Sequence, residues 1–186
     1  MKIAVSAGHY AAAQGAAYQD LTEWAEAKKW QALILQHLGP AGIAVSHTNL
    51  SRKIAEINQQ ALNCAVEIHF NSDGKRAGRG SETLFSPYSR RGQSLADSVQ
   101  KIISPICTPN RGIKAGWYRM DKPGHVDYAG DVEGDEVVDA FLQKTKCPAI
   151  IVEPFFIHEA SKIEANREVV CELIAQALIE WCKGSQ

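Results

Sequence analysis

Apolar residues along this chain alternate between short unbroken runs and longer stripes with helical spacing. Residues 2–6 are a brief, β-branched run that ends at Ala7-Gly8, which predicts a buried strand. From 22 to 38 a stripe through Ala27, Trp30, Ile34 and Leu38 predicts a helix, stopped by Gly39-Pro40. Residues 43–46 read as the next strand. Residues 51–62 read as a helix with Ile54, Ile57 and Ala61 on one face. A strand over 65–69 is closed by Asn71-Ser72-Asp73-Gly74, and residues 82–85 read as another. Leu95, Val99, Ile102, Ile103 and Ile106 mark a third helix. Residues 108–131 are rich in Gly and Pro, with Trp117, Tyr118 and Tyr128 interleaved, and read as a long irregular loop. Val137, Val138, Phe141 and Leu142 suggest a short helix, and residues 149–152 a buried strand entered through Pro148. The last helix opens with a Ser161-x-x-Glu164 capping box and carries Val170, Leu173, Ile174, Ala177, Leu178 and Trp181 on one stripe. Strand and helix in alternation predict an α/β layer architecture.

Composition narrows the picture. A chain of 186 residues, 45% hydrophobic and 22% charged, suits one domain with a full core, and no repeat or linker divides it. A net charge of −1 gives no overall field to draw nucleic acid or acidic lipid. No apolar run reaches the length of a membrane span, so membrane insertion is not expected. The start, Met1-Lys2-Ile3-Ala4-Val5, lacks the apolar stretch of a signal peptide, which predicts synthesis in the cytoplasm. Cys64, Cys107, Cys147, Cys171 and Cys182 are odd in number, form no CxxC pair and mostly have apolar neighbours, so they read as buried free thiols.

Three of the predicted strands run into polar residues that can hold a metal. The first leads to Gly8-His9, the third to Glu67-Ile68-His69-Phe70-Asn71, and the last to Val152-Glu153-Pro154. In open α/β sheets, sites gather beyond the carboxyl ends of the strands. Two histidines with one carboxylate form a catalytic zinc set, with a fourth position left for water. Glu23 and Glu26 both open the first helix. Glu23 projects within roughly 20° to 30° of the apolar stripe's centre, and Glu26 about 80° away. A carboxylate on that line needs a partner, which a metal supplies. Asp20-x-x-Glu23 also fits a capping start, and periodicity leaves ligand and cap equally open. Glu153 follows an apolar run, where a carboxylate is costly without a partner. It reads as a general base beside a metal-activated water, or as half of a buried ion pair.

Taken in order, these segments resemble the zinc-dependent N-acetylmuramoyl-L-alanine amidases of bacterial autolysins and phage endolysins. The likeness rests on Gly8-His9, Gly15-Ala16, Glu23, Ile68-His69-Phe70-Asn71, Gly80-Ser81-Glu82-Thr83 and the run from Pro148 to Phe156, which together span nearly the whole chain. The resemblance implies one zinc per chain on His9, Glu23 and His69, with Glu153 as the catalytic carboxylate. It also implies a twisted, mixed, mostly parallel sheet with helices on both faces. Its substrate would be peptidoglycan, cut between N-acetylmuramic acid and L-alanine, in the manner of a phage or prophage endolysin that reaches the wall after release. Residues 1–186 would be a single catalytic domain without a separate cell-wall-binding domain. The chain departs from the family's pattern at Tyr10-Ala11, at His47-Thr48-Asn49 and near His158, none of which removes a ligand. His37, His47, His125 and His158 read as surface or packing residues. Arg111 and Arg119 are candidates for binding stem-peptide carboxylates, although surface solvation accounts for them as well. Rival readings are a peptidoglycan peptidase or deacetylase, and an inactive wall-binding module; the last would be expected to lack one of the four site residues.

Overall fold

The computed structural model describes residues 1–46, 48–119 and 136–184. His47, His125 and Tyr128 lie outside them, as does the side chain of Arg119. A six-stranded sheet has the order β4-β1-β5-β10-β6-β7. The strands are β1 (Ile3–Ala7), β4 (Gly42–Val45), β5 (Cys64–Ile68), β6 (Ser81–Phe85), β7 (Asn110–Ala115) and β10 (Ala149–Glu153). Strands β4, β1, β5 and β10 run parallel, while β6 is antiparallel to β10 and parallel to β7. Two small ribbons complete the strands: β2 (Ala17–Tyr18) with β3 (Leu21–Thr22), and β8 (Trp117–Arg119) with β9 (Glu136–Val138).

Alternation along each central strand sends side chains to two separate cores. Ile3, Val5, Cys64, Val66, Ile68, Ile150 and Val152 face one layer, built from α1 (Glu23–Leu38), α3 (Arg90–Ile103) and α5 (Ala160–Gly184). Ala4, Ala65, Ala149 and Ile151 face the other, which includes α2 (Leu50–Asn58) and α4 (Ala140–Lys144). The sheet is thus buried on both sides, which is why its strands read as unbroken apolar runs. On the first side, Trp30 of α1 lies edge-on to Phe70 and Phe155, with ring centroids 5.3 and 6.3 Å apart. Among the described residues, no helix is long and apolar enough to cross a membrane. All five cysteines are free thiols and four are buried, as their apolar neighbours predict.

Several local expectations are corrected. Residues 108–131 do not form one irregular loop, since β7 and β8 occupy 110–115 and 117–119. Val137 and Val138 belong to strand β9, with Val137 exposed and Val138 buried, the alternation of a ribbon. The helix read there begins only at Ala140, capped by Asp139. Ser161 is no cap, because α5 already starts at Ala160. Helix α2 ends at Asn58 and not at 62.

Candidate active site

Parallel pairing sets β1, β5 and β10 side by side, and the chain leaves each of them at the same sheet edge. Gly8 N–H donates to Ile68 O at 2.8 Å, and His69 N–H to Val152 O at 3.0 Å. These bonds fix the segments carrying His9, His69 and Glu153 beside one another. His9 takes a left-handed backbone (φ 61°), uncommon for a residue with a side chain and a mark of a constrained position.

Glu23 arrives from the helix layer. Thr22 caps α1, its hydroxyl accepting from Ala25 N–H at 3.3 Å, so the Asp20 cap is not used. As the first helical residue, Glu23 extends its carboxylate between the two imidazoles. Its Oε2 is 3.0 Å from His9 Nε2 and its Oε1 is 2.8 Å from His69 Nδ1. Backbone N–H groups of Ala16 and Phe70 donate to the same carboxylate, each at 3.2 Å. Gly15 (φ +74°) makes this approach possible, since a Cβ there would lie 2.5 Å from His9 Nε2 and 2.6 Å from Glu23 Oε2. Burial opposes ionisation of Glu23, but the hydrogen bonds of His69 and His9 outweigh it and hold the carboxyl far below its ordinary range. Burial likewise works against charge on His69, and Glu23 and Glu67 reverse that, raising the ring well above its ordinary value.

One donor atom from each of His9, Glu23 and His69 lies within 4.8 Å of the others. Two imidazoles and an ionised carboxylate at this spacing fit a catalytic zinc site. Glu26 is not part of it. It is fully buried one turn along α1, where Arg167 Nε (2.7 Å), Lys29 Nζ (2.8 Å) and Trp30 Nε1 (3.2 Å) hold it.

Glu153 closes β10 directly opposite Glu82 of β6. Both are buried, with different partners. Glu82 accepts from Asn71 Nδ2, Arg111 Nε and Lys114 Nζ, each at 2.7 Å. The ion pair considered for Glu153 is therefore made by its neighbour across the strands. Arg111 is thereby engaged within the fold, also covering the Phe156 ring at 5.0 Å. The Glu153 side chain has no hydrogen-bond partner among the described residues. Burial first, then the charge of Glu82, pushes its carboxyl up to about 8, against the opposing pull of His69. His37 pairs with Glu168 at 3.0 Å and His158 packs beside Tyr18 and Phe156, both outside the His9–Glu23–His69 cluster. Glu67, to which the sequence pattern assigns no role of its own, is bonded to His69 at 2.9 Å and Lys53 at 2.6 Å.

The sequence matches the N-acetylmuramoyl-L-alanine amidase family over residues 3–180. The chain belongs to that family. It is therefore a peptidoglycan amidase by descent. Solved structures share the fold. An N-acetylmuramoyl-L-alanine amidase from Clostridium difficile 630 is 19% identical with a TM-score of 0.74, over 100% of this chain and 98% of its own. The amidase AmiC2 of Nostoc punctiforme is 19% identical with a TM-score of 0.74, over 98% and 97%. The catalytic domain of the CD27L endolysin, which targets Clostridia difficile, is 20% identical with a TM-score of 0.72, over 97% of each chain. Among curated proteins, none matches the chain.

Proposed function

We propose that this amidase is zinc-dependent and hydrolyses the amide between N-acetylmuramic acid and the first L-alanine of the stem peptide. The observation that carries the reading is the convergence of His9, Glu23 and His69 within 4.8 Å, with Glu153 at the neighbouring strand end. His9, Glu23 and His69 would hold one zinc. Bound there, the metal would polarise the scissile carbonyl and acidify a water.

Glu153 serves as the proton carrier. Burial and the charge of Glu82 raise its carboxyl above the ordinary carboxylate range, and a zinc held beside it would draw it back toward neutral pH, where a group can both take and return a proton. It takes the proton of the attacking water and delivers it to the departing alanine nitrogen. Glu82 cannot share this task, because three donors occupy its carboxylate. Glu67 is likewise committed to Lys53, Ser6 and His69. Glu23 keeps its charge through its histidines, which suits a ligand and not a proton carrier.

The biological setting we propose is lysis by a phage or prophage product. The fold shared with an endolysin catalytic domain supports this. Metal analysis of the purified protein tests the chemistry: one zinc per chain is expected. Chelation should abolish activity and added zinc restore it, whereas full activity after complete metal removal would contradict the proposal.

A further inference from the structure

Glu67 sits where a carboxylate has no place in the apolar packing. Strand alternation puts it on the α2 side of the sheet, in line with Ala65 and beside Ile151, and it is only 4% exposed. A buried ion pair at such a position is weak evidence for stability, since apolar residues of similar volume pack there at least as well. Its hydrogen bonds suggest another reason for it.

The two oxygens of Glu67 have separate partners. Oε2 accepts from Lys53 Nζ at 2.6 Å and from Ser6 Oγ at 3.0 Å. Oε1 is 2.9 Å from His69 Nε2. Lys53 Nζ also donates to Ala7 O at 2.7 Å, two residues before His9. One network therefore ties the main chain leading to the first imidazole to the ring of the second. An ionised carboxylate only accepts, so the nitrogen facing it must carry the hydrogen. In a neutral imidazole, that leaves the lone pair on Nδ1. His69 Nδ1 is the nitrogen beside Glu23, on the side of the other donors.

We propose that Glu67, anchored by Lys53 and Ser6, is a positioning residue that fixes the ring orientation and tautomer of His69 for metal binding. The inference rests on the zinc reading above. Carboxylates that accept from the far nitrogen of a ligating histidine orient the ring and make it a better donor, and their loss typically weakens metal binding about 10–100-fold.

Two double variants isolate the acceptor from the buried charge pair. Lys53→Met with Glu67→Leu removes both charges and leaves His69 Nε2 without an acceptor. Lys53→Met with Glu67→Gln removes both charges but keeps an amide oxygen for Nε2–H, while the amide N–H can turn to Ser6. Zinc affinity is measured by chelator competition on metal-stripped protein, with thermal melts to confirm folding. The leucine pair is expected to bind zinc about 10–100-fold more weakly than wild type, and the glutamine pair to recover most of that loss. Equal zinc affinity in both double variants would overturn the proposal, whether that affinity matched wild type or fell. If the leucine pair does not fold, Glu67→Gln alone decides. With Lys53 present, the ammonium claims the single amide oxygen, so zinc binding must fall, and wild-type affinity would refute the role. Failure of the wild-type protein itself to take up zinc would instead count against the zinc reading.

Discussion

At the scale of single residues, Glu82 and Glu153 show how environment assigns chemistry to identical side chains. They face each other on adjacent strands, yet one is neutralised by an amide and two cations and the other forms no such bonds among the described residues. Glu153→Gln keeps the shape and removes the proton carrier. Turnover should fall roughly 10²–10⁴-fold while zinc stays at one per chain. Zinc loss would make Glu153 a ligand, and near-normal turnover would make it structural. The same variant has a pH signature in the metal-free protein. The folded-state value of Glu153 is about 8, above its ordinary 4.5. Below the lower value the side chain is protonated both folded and unfolded, and contributes nothing. Between about 4.5 and 8 the unfolded chain releases the proton that the folded chain retains, so rising pH costs wild type stability, fully so above 8. Glu153→Gln should therefore gain stability over wild type across that window, by a few kcal/mol at its upper end, with melts near pH 4 coinciding. A constant difference at all pH values would contradict the assigned environment. Gly15→Ala should also separate site from fold. A methyl group would press on His9 and Glu23, so zinc affinity should drop sharply while circular dichroism stays unchanged.

Among the elements, α1 carries two glutamates one turn apart with unrelated tasks. Glu23→Gln should cut zinc occupancy and also lower the stability of the metal-free protein, because both imidazoles lose their ionised partner. Glu26→Gln should leave zinc in place and destabilise by about 1–3 kcal/mol, because Arg167 of α5 and Lys29 lose a charged partner at a buried position. The opposite pattern in zinc content would reverse the assignment. Helical periodicity alone left Glu23 open between ligand and cap, and the structure explains why. Thr22, a residue the sequence pattern did not single out, takes the cap and frees the Glu23 carboxylate. The central strands were legible because helices cover both faces and their apolar runs are continuous. Strands β7, β8 and β9 were not. β7 is an edge strand whose residues are only half-buried or exposed, so neither an apolar run nor a clean alternation marks it. The β8–β9 ribbon pairs segments well separated in sequence, and its strands are three residues each, too short for a period to show.

For the whole molecule, a sheet with four adjacent parallel strands brings residues 9, 69 and 153 to one edge, and helix α1 delivers Glu23 to them from the layer above. Strand ends and the family resemblance together made those four positions legible in the sequence. The surrounding carboxylates were not, because what distinguishes Glu67 and Glu82 from Glu153 is their cations, and Lys53, Arg111 and Lys114 lie far from them along the chain. If the protein serves as an endolysin, its expression alone should leave host cells intact, and added membrane permeabilisation should lyse them. Lysis without permeabilisation would point to self-export. The central claim is tested most directly by digesting purified peptidoglycan with the zinc-loaded protein and identifying the new ends by mass spectrometry. The account predicts a free lactyl carboxylate on muramic acid and a free amine on L-alanine, both absent after chelation and restored by zinc. New ends within the stem peptide, released acetate, or undiminished cleavage by metal-free protein would contradict it.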